Sequence, residues 1–336
     1  MSGSVLVTGG SGVVGRALIG RLVADGREVR ALARSEESAR TVGLLGAEVV
    51  RGDVLDLASL RTAAEGCATI FHVAGINAMC LHDPRPMLRT NVEGSANAVR
   101  AAAQAGVERV VYTSSSSAIG ESPGTVGRED SPHRGWYLSE YERSKHLAER
   151  RIFELAEELG VRIVAVNPAS VQGPGRATGS ARLLLDVVNG KLPLLVETTI
   201  SLVDIGDCSE GHLLAETRGK PGERYLLSGS TITTREAVEL LERIWGLRRE
   251  VRFAPPWLAK AGGAVIGTGA MLLRRDAPVC PEAVRTLLHG HRYDGSKATR
   301  ELGLRYAPLE VTLLRTLEWY AARGLVRPGR GRRART

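Results

Sequence analysis

Cysteine is scarce in this chain of 336 residues, which has only Cys67, Cys80, Cys208 and Cys280. They lie far apart, and neither a Cys-x-x-Cys pair nor a neighbouring histidine cluster provides the spacing of metal ligands. The sequence therefore predicts no metal site. It also favours four free thiols in a reducing cytoplasm.

Long apolar runs are also lacking. The N-terminus, MSGSVLVTGG, enters a strand-like run without the basic start and apolar core of a secretory signal, so we expect a cytoplasmic protein. The most apolar window, residues 261–273, is shorter than the roughly 20 residues that cross a bilayer. We expect this window to form a buried or cleft-lining helix, with docking on a membrane surface as the alternative.

Aromatic residues are few, at 4%, and the positive charge is unevenly distributed. The net charge is +8, but five arginines lie in the last ten residues, which leaves +3 for the remainder. This remainder has no basic stripe interleaved with aromatics, so nucleic acid is not expected as the main partner. We predict that residues 326–336 form a disordered basic tail.

Strand-like runs rich in Val, Ile and Leu alternate with helical patterns up to about residue 170. Strands separated by helices predict an α/β fold, a doubly wound parallel sheet (Rossmann) buried on both faces. Beyond this point proline and glycine interrupt the pattern. We therefore predict a dinucleotide-binding domain over 1–170 and, over 171–325, a smaller, mixed substrate lobe with segments that return to the sheet.

A glycine-rich turn joins the first predicted strand to the first helix in VLVTGGSGVVGRALIGRL. Gly9 permits a tight turn, Gly12 lets a pyrophosphate approach the backbone, and Gly15 allows close packing of helix and strand. At the first strand-to-helix junction of an alternating chain, this pattern predicts a dinucleotide cofactor.

The end of the second strand bears on the choice of cofactor. An acidic residue that binds the ribose hydroxyls of NAD would stand near Ala33, but Arg34 follows it immediately. Because a guanidinium can pair with a 2′-phosphate, the sequence favours NADP over NAD. Two alternatives remain: Arg34 is only a solvated strand end, or Glu36 or Glu37 reaches the ribose.

Seven motifs occur in an order that resembles the extended short-chain dehydrogenase/reductase family. They are TGGSGVVG at 8–15, GDVLD at 52–56, HVAG at 72–75, NVEG at 91–94, YTSSSS at 112–117, YERSK at 141–145 and NPASVQGPG at 167–175. Besides the glycines and Arg34, the resemblance implies further cofactor contacts. These are Ser11, Val13, Val14, Asp53, Val54, Ala74, Gly75, Tyr141, Lys145, Pro168, Ser170 and Val171.

The same resemblance implies a catalytic set of Ser115, Tyr141, Lys145 and Asn91. A free phenol has a pKa near 10, so Lys145, one helical turn beyond Tyr141, would stabilise the phenolate. Ser116 and Ser117 leave the position of the catalytic serine uncertain by one residue. The alternatives are that Ser115 only satisfies backbone groups and that Asn91 caps a helix.

Two positions lack the residues that other branches of the family carry, and this limits the branches to which the chain can be similar. Serines stand where sugar-nucleotide dehydratases carry an acidic pair, and Ile200 stands where epimerases commonly hold a diphosphate with arginine. The second half is similar to the branch of dihydroflavonol 4-reductases, 3β-hydroxysteroid dehydrogenases and hopanoid-associated relatives. The resemblance implies an NADP-dependent enzyme that interconverts a ketone and a secondary alcohol on an apolar cyclic substrate. A nucleotide-sugar epimerase with tightly bound NAD and an NADP-sensing regulator are the alternatives.

The substrate would lie among residues after the fourth strand and before the catalytic helix, or these residues simply pack the small lobe. The predicted contacts are Ile76, Asn77, Met79, Ser116, Trp136, Tyr137 and the segment 257–273. In relatives, helices corresponding to 85–105 and 140–158 often pair across a dimer, so the resemblance implies a homodimer.

Overall fold

The structure, a computed structural model, describes residues 3–192, 194–247, 251–277 and 279–326, without the side chain of Ser180. Residues 327–336 of the predicted tail lie outside the described residues. Val326, where the predicted tail begins, is buried.

Strands and helices alternate through the first 168 residues. The elements are β1 (Ser4–Thr8), α1 (Val13–Ala24), β2 (Val29–Ala33), α2 (Glu36–Gly43), β3 (Glu48–Arg51), α3 (Leu57–Ala64), β4 (Cys67–His72), α4 (Arg85–Ala105), β5 (Arg109–Thr113), a 3₁₀ turn (Ser116–Ile119), α5 (Glu140–Leu159) and β6 (Ile163–Pro168).

Shorter strands and further helices make up the rest of the described chain. They are β7 (Ser170–Gln172), α6 (Ser180–Val188), β8 (Leu194–Val196), β9 (Thr199–Asp204), α7 (Ile205–Arg218), β10 (Arg224–Leu227), β11 (Ser230–Thr233), α8 (Thr234–Trp245), β12 (Arg252–Ala254), α9 (Pro256–Leu272), α10 (Pro281–His289), a π-helical turn (Ala298–Leu302) and α11 (Leu309–Ala322).

The main sheet has seven parallel strands in the order β10-β6-β5-β4-β1-β2-β3. This order confirms the predicted doubly wound fold. The strand order reverses between β1 and β4, which pair with Thr8 opposite His72 at their carboxyl ends. Open α/β sheets bind ligands in the crevice at such a reversal, so the topology places a ligand site above Thr8 and His72.

The side chains of β1 point alternately to the two faces of the sheet, and each face has its own apolar core. Val5 and Val7 pack with the α1 side chains, including Leu18, whereas Leu6 packs with Leu60 of α3 on the opposite face. All five side chains are fully buried. Burying each one contributes roughly 1.5–3 kcal/mol relative to exposure, so the two apolar layers fix the strand register.

The small lobe has its own apolar core, where Leu185 of α6, Leu241 of α8 and Leu317 of α11 meet. Two small sheets accompany it, β11-β9-β7 and β12-β8. Helix α8 begins at a capping box in which Thr233 and Glu236 satisfy each other's backbone amides. The lobe is built from segments on both sides of β10, which returns to the edge of the main sheet beside β6.

The prediction of four free thiols is wrong for two of them. Cys80 and Cys280 form a disulfide across 200 residues of sequence, whereas Cys67 and Cys208 are free and buried. The bond joins the loop after β4 to the residue before α10. Sequence spacing gave no sign of it, because only the fold brings the two cysteines together.

The prediction that residues 261–273 form a buried or cleft-lining helix is wrong as to burial. The window lies mainly in α9, where Gly263 and Gly267 are buried against α10 but the large apolar side chains face outward. Among the described residues, no helix has both the length and the apolarity to cross a bilayer.

Candidate active site

The glycine turn after β1 has no room for side chains. Gly9 has a φ of +68°, and a Cβ there would lie 2.5 Å from the amide nitrogen of Ala74. A Cβ at Gly15 would lie 2.3 Å from the Gly9 carbonyl oxygen. The close packing of β1, α1 and the loop after β4 therefore requires glycine at both positions.

The N-terminus of α1 points its backbone donors into the crevice. Gly12 is the N-cap residue and has no side chain to cap the first-turn amides of Val13, Val14 and Gly15. Ser11 precedes it, and its carbonyl oxygen accepts a hydrogen bond from Arg16. Uncapped amides at the positive end of a helix fit a pyrophosphate, so this turn suits the predicted dinucleotide.

The adenosine side of the crevice carries Arg34, Asp53 and Val54. The Arg34 guanidinium is largely exposed at the end of β2 and lies 3.7 Å from the Asp53 carboxylate. Val54 is buried, and Asp53 accepts a hydrogen bond from the Leu55 amide. Glu36, one alternative for ribose binding, pairs with Arg51. Both side chains therefore have an ionic partner, Arg34 in Asp53 and Glu36 in Arg51, and the Arg34 guanidinium is largely exposed to solvent.

Tyr141 and Lys145 lie one turn apart on α5, whose N-terminus is capped by Ser139. Lys145 is buried, and its Nζ donates a 2.9 Å hydrogen bond to the Thr113 carbonyl oxygen at the end of β5. Burial lowers the pKa of Lys145 to about 8. A Cβ added at Gly75 would lie 3.3 Å from this Nζ, so the ammonium sits directly beside the crevice wall.

Ser115 follows β5 and faces Tyr141. Burial raises the pKa of the Tyr141 phenol, and a hydrogen bond from the Ser115 hydroxyl acts in the opposite direction. Ser115 also caps the 3₁₀ turn, because its Oγ accepts hydrogen bonds from the Ser117 amide and hydroxyl. The structure therefore brings Ser115 next to Tyr141. It also shows that the Ser115 hydroxyl accepts a hydrogen bond from a backbone amide, as the alternative predicted.

Asn91 lies inside α4 and is not a helix cap. Its side chain accepts from the Ile76 amide at 2.7 Å and donates to the Ile76 carbonyl and the Ser144 hydroxyl at 2.9 Å each. Asn91 is 1% exposed. It ties the loop after β4 to α5, which fixes Gly75 and Lys145 relative to each other.

A model of the NAD dependent epimerase/dehydratase family matches residues 5–228. The chain belongs to the NAD dependent epimerase/dehydratase family. This confirms the resemblance to extended short-chain dehydrogenases/reductases. The chain is an NAD(P)-dependent oxidoreductase of this family, whereas the preference for NADP and the individual site residues stay predictions.

Three similar proteins extend over almost the whole chain. The chain is 33% identical to a dihydroflavonol 4-reductase-like protein of Synechocystis sp., covering 97% of each. It is 31% identical to sterol demethylase protein B of Methylococcus capsulatus, covering 96% of this chain and 100% of that protein. The crystal structure of gox2253 matches with a TM-score of 0.84 at 30% identity, covering 96% of this chain and 99% of that one.

The predicted substrate residues differ in their exposure and in their packing partners. In the loop after β4, Ile76, Asn77 and Met79 are exposed. Trp136 is half exposed beneath the Arg134 guanidinium, and Tyr137 packs against the rings of His133 and His146. These last two side chains therefore have packing partners of their own.

Four remaining predicted positions lie just after β5 or at and beyond the end of β6. Ser116 is buried and opens the 3₁₀ turn, near the Tyr293 phenol. Pro168 ends β6 at the carboxyl edge of the main sheet, and Ser170 and Val171 lie in β7 immediately beyond it. The chain therefore passes from the nucleotide-binding sheet to the small lobe at these residues.

Sequence reasoning missed Arg176, which follows the GPG turn. Its charge favours the ionised form of Tyr141, and its Nη1 donates a 2.7 Å hydrogen bond to the Val171 carbonyl oxygen. Burial lowers the pKa of Arg176 itself. No motif in the sequence pairs positions 141 and 176, so only the fold could have revealed this neighbour.

A second missed group surrounds the buried carboxylate of Glu121. His291 Nδ1 lies 2.7 Å from Glu121 Oε1 and 3.0 Å from the Tyr293 hydroxyl, and His289 Nε2 lies 3.3 Å from the same carboxylate oxygen. Burial alone would raise the pKa of Glu121, but hydrogen bonds from the two histidines lower it to about 2. The His-x-His spacing at 289–291 was the signal available in the sequence.

Proposed function

We propose that this protein is an NADP(H)-preferring oxidoreductase that interconverts a ketone and a secondary alcohol on an apolar cyclic substrate. The observation that carries the proposal is the position of Tyr141, beside Ser115 and one turn from the buried Lys145. All three lie at the carboxyl edge of the sheet, beside the glycine turn.

Each residue has a defined task in this reaction. Bound nicotinamide would supply or accept the hydride. Ser115 orients the substrate oxygen by a hydrogen bond, and Tyr141 donates a proton to it during reduction and takes one during oxidation. Lys145, with a pKa of about 8, is largely protonated at pH 7 and stabilises the phenolate. The nearby Arg176 guanidinium acts in the same direction.

The substrate class follows from the side chains at the mouth of the crevice. Ile76, Asn77, Met79, Trp136 and Tyr137 include no charged group, so an apolar ring system fits them better than a diphosphate. Ile200, in β9, offers no bidentate contact to phosphate. The names of the two relatives, one dihydroflavonol-related and one sterol-related, support the same class.

The proposal includes a homodimer formed through α4 and α5. These long helices pack side by side on one face of the main sheet. Sedimentation velocity of the purified protein tests this arrangement, and a single monomeric species would contradict it.

Substituting Tyr141→Phe tests the reaction. We expect kcat for ketone reduction to fall roughly 10²–10⁴-fold, because the proton donor is lost, while NADPH binding measured by fluorescence titration is retained. Ser115→Ala should have an effect of similar size. Ser116→Ala is the matched control, and a larger loss in that variant would move the catalytic serine by one position.

The test needs a screen of cyclic ketones and secondary alcohols with both nucleotides. Stoichiometric consumption of NADPH supports a reductase. Epimerisation of a UDP-sugar without net consumption of cofactor would replace this proposal with the epimerase alternative. An unchanged biological effect of Tyr141→Phe would instead favour a sensor.

A further inference from the structure

Helix α9 carries the largest group of exposed apolar side chains in the described part of the chain. The group comprises Trp257, Leu258, Val265, Ile266, Met271, Leu272 and, immediately after the helix, Leu273. Trp257, Val265 and Leu272 recur at spacings of eight and seven residues, which place them on one face of the helix. Leu272 is 80% exposed.

The opposite face of α9 explains why these side chains are not buried. A Cβ at Gly263 would lie 2.6 Å from Val284 of α10, and one at Gly267 would lie 2.8 Å from Pro281. The two helices therefore pack through the glycine side of α9. The bulky side is left facing solvent, and an apolar face of this extent on a protein surface usually meets a partner.

The charges around this face are mainly positive, and the exposed Asp276 just after Arg275 accepts a hydrogen bond from the His82 amide. Lys260 within the helix and Arg274 and Arg275 after it are exposed, and the sequence from 251 to 275 has no Asp or Glu. Beyond Val326, which packs in the same apolar core as Phe253 just before α9, the sequence continues with five more arginines. An apolar face with mainly basic residues at its border complements an anionic lipid surface.

The segment that follows α9 is fixed to the mouth of the crevice. The Ala277 amide donates to the Cys80 carbonyl oxygen, and the Cys80–Cys280 disulfide secures the same loop. Glu282 at the start of α10 accepts hydrogen bonds from the amides of Cys80 and Glu140, the first residue of α5. The exposed Met79 therefore lies next to the end of α9.

We propose that α9 docks this protein onto an anionic lipid bilayer, with the helix lying in the interface and its Trp257–Leu272 face in the acyl region. An interfacial helix of this kind has Trp and Leu on one face and cations at its border. Docking would present the crevice mouth to apolar molecules dissolved in the bilayer. Only this last consequence rests on the proposed function, since lipid binding itself needs neither cofactor nor substrate.

Vesicle co-sedimentation of the full-length protein tests the proposal. The probes are vesicles of phosphatidylcholine alone and of phosphatidylcholine with phosphatidylglycerol, without nucleotide. We expect binding to the anionic vesicles that weakens with added salt, together with a blue shift of tryptophan fluorescence. The double variant Met271→Glu/Leu272→Glu should bind on the order of tenfold more weakly or worse, because both side chains would enter the bilayer.

Leu44→Glu is the matched control, because Leu44 is 83% exposed at the end of α2 in the nucleotide-binding part of the chain. It should bind vesicles like the wild type. Wild-type protein that stays in the supernatant, or equal binding of the double variant and the wild type, would overturn the proposal. So would a lipid-free dimer that the double variant converts to monomers, since a second copy would then cover α9.

Enzymatic activity separates this proposal from the preceding one. Reduction of a small water-soluble ketone is measured on the wild type, and NADPH binding by the double variant should equal that of the wild type, because the glycine turn lies before α1 and not on α9. Vesicle binding without any ketone reduction would support the docking surface and reject the proposed reaction. Ketone reduction without vesicle binding would support the proposed reaction and reject the docking surface.

Discussion

Arg34 is the side chain on which the cofactor preference depends. It lies exposed at the end of β2, where its guanidinium is 3.7 Å from the Asp53 carboxylate. We expect Arg34→Ala to raise KM for NADPH roughly 10- to 100-fold and to leave KM for NADH nearly unchanged, because a charge-assisted phosphate contact is worth about 1.5–3 kcal/mol. Steady-state kinetics with both nucleotides measures this split.

The control for this substitution is Arg40→Ala, which removes an exposed cation near the end of α2. It should leave both KM values unchanged. If Arg34→Ala weakens NADH as much as NADPH, the guanidinium supports adenosine in general and does not select the 2′-phosphate.

Residues whose role depends on backbone geometry were predictable from the sequence. Gly9 and Gly15 could be predicted because the turn leaves no space for a Cβ, so that only glycine fits at either position. The role of Asn91 could not be derived in the same way. Its partners Ile76 and Ser144 are distant in sequence, so a local pattern could suggest only a helix cap.

At the scale of elements, the disulfide joins the loop after β4 to the residue before α10, where the hydrogen bonds of Ala277 and Glu282 with Cys80 also lie. We expect Cys280→Ser to lower the free energy of unfolding by roughly 2–5 kcal/mol, since the bond closes a loop of 200 residues in the unfolded chain. Urea denaturation of protein purified without reductant measures the difference.

A reductant provides the control within the same experiment. Dithiothreitol should destabilise the wild type to the level of Cys280→Ser and leave the variant unchanged. Alkylation of the unfolded, unreduced protein should label Cys67 and Cys208 only. Labelling of all four cysteines would show that the bond does not form in solution.

Helix α9 shows why an apolar sequence led to a wrong prediction of burial. The window 261–273 is apolar overall, and an apolar helix is usually buried in a soluble protein. Its glycines, however, take the packed positions against α10, so the larger side chains lie on the other side. The average hydropathy of a segment does not show which side chains face a neighbouring helix. The separation of glycines from larger side chains is therefore evident only once the position of α10 is known.

For the whole molecule, buried histidines make stability depend on pH. Burial lowers the pKa of His212 to about 4 from the usual 6.5, and the pKa of His72 to about 3. The unfolded chain therefore binds more protons than the folded one below pH 6.5. Each unit of acidification from there to about pH 4 should cost roughly 1.4 kcal/mol per fully titrating histidine.

His212→Gln tests this dependence. His212 Nδ1 donates a 2.7 Å hydrogen bond to the Cys208 carbonyl oxygen, so Nε2 of the neutral ring accepts the 2.8 Å hydrogen bond from the Thr113 hydroxyl. The variant therefore loses some stability at pH 7. Its free energy of unfolding should nevertheless decline less steeply between pH 6.5 and 5 than that of the wild type. His82→Gln, at an exposed position, is the control, and equal slopes in all three proteins would refute the assignment.

The position of β10 makes the two lobes inseparable by any single cut in the chain. A fragment ending at residue 170 would retain all but one strand of the main sheet, yet its β6, buried along its whole length, would become an unprotected edge. An apolar edge of this kind is a template for aggregation. Helix α5 and the small lobe are therefore produced only together, and a fragment of the first 170 residues is not expected to survive as an independent module.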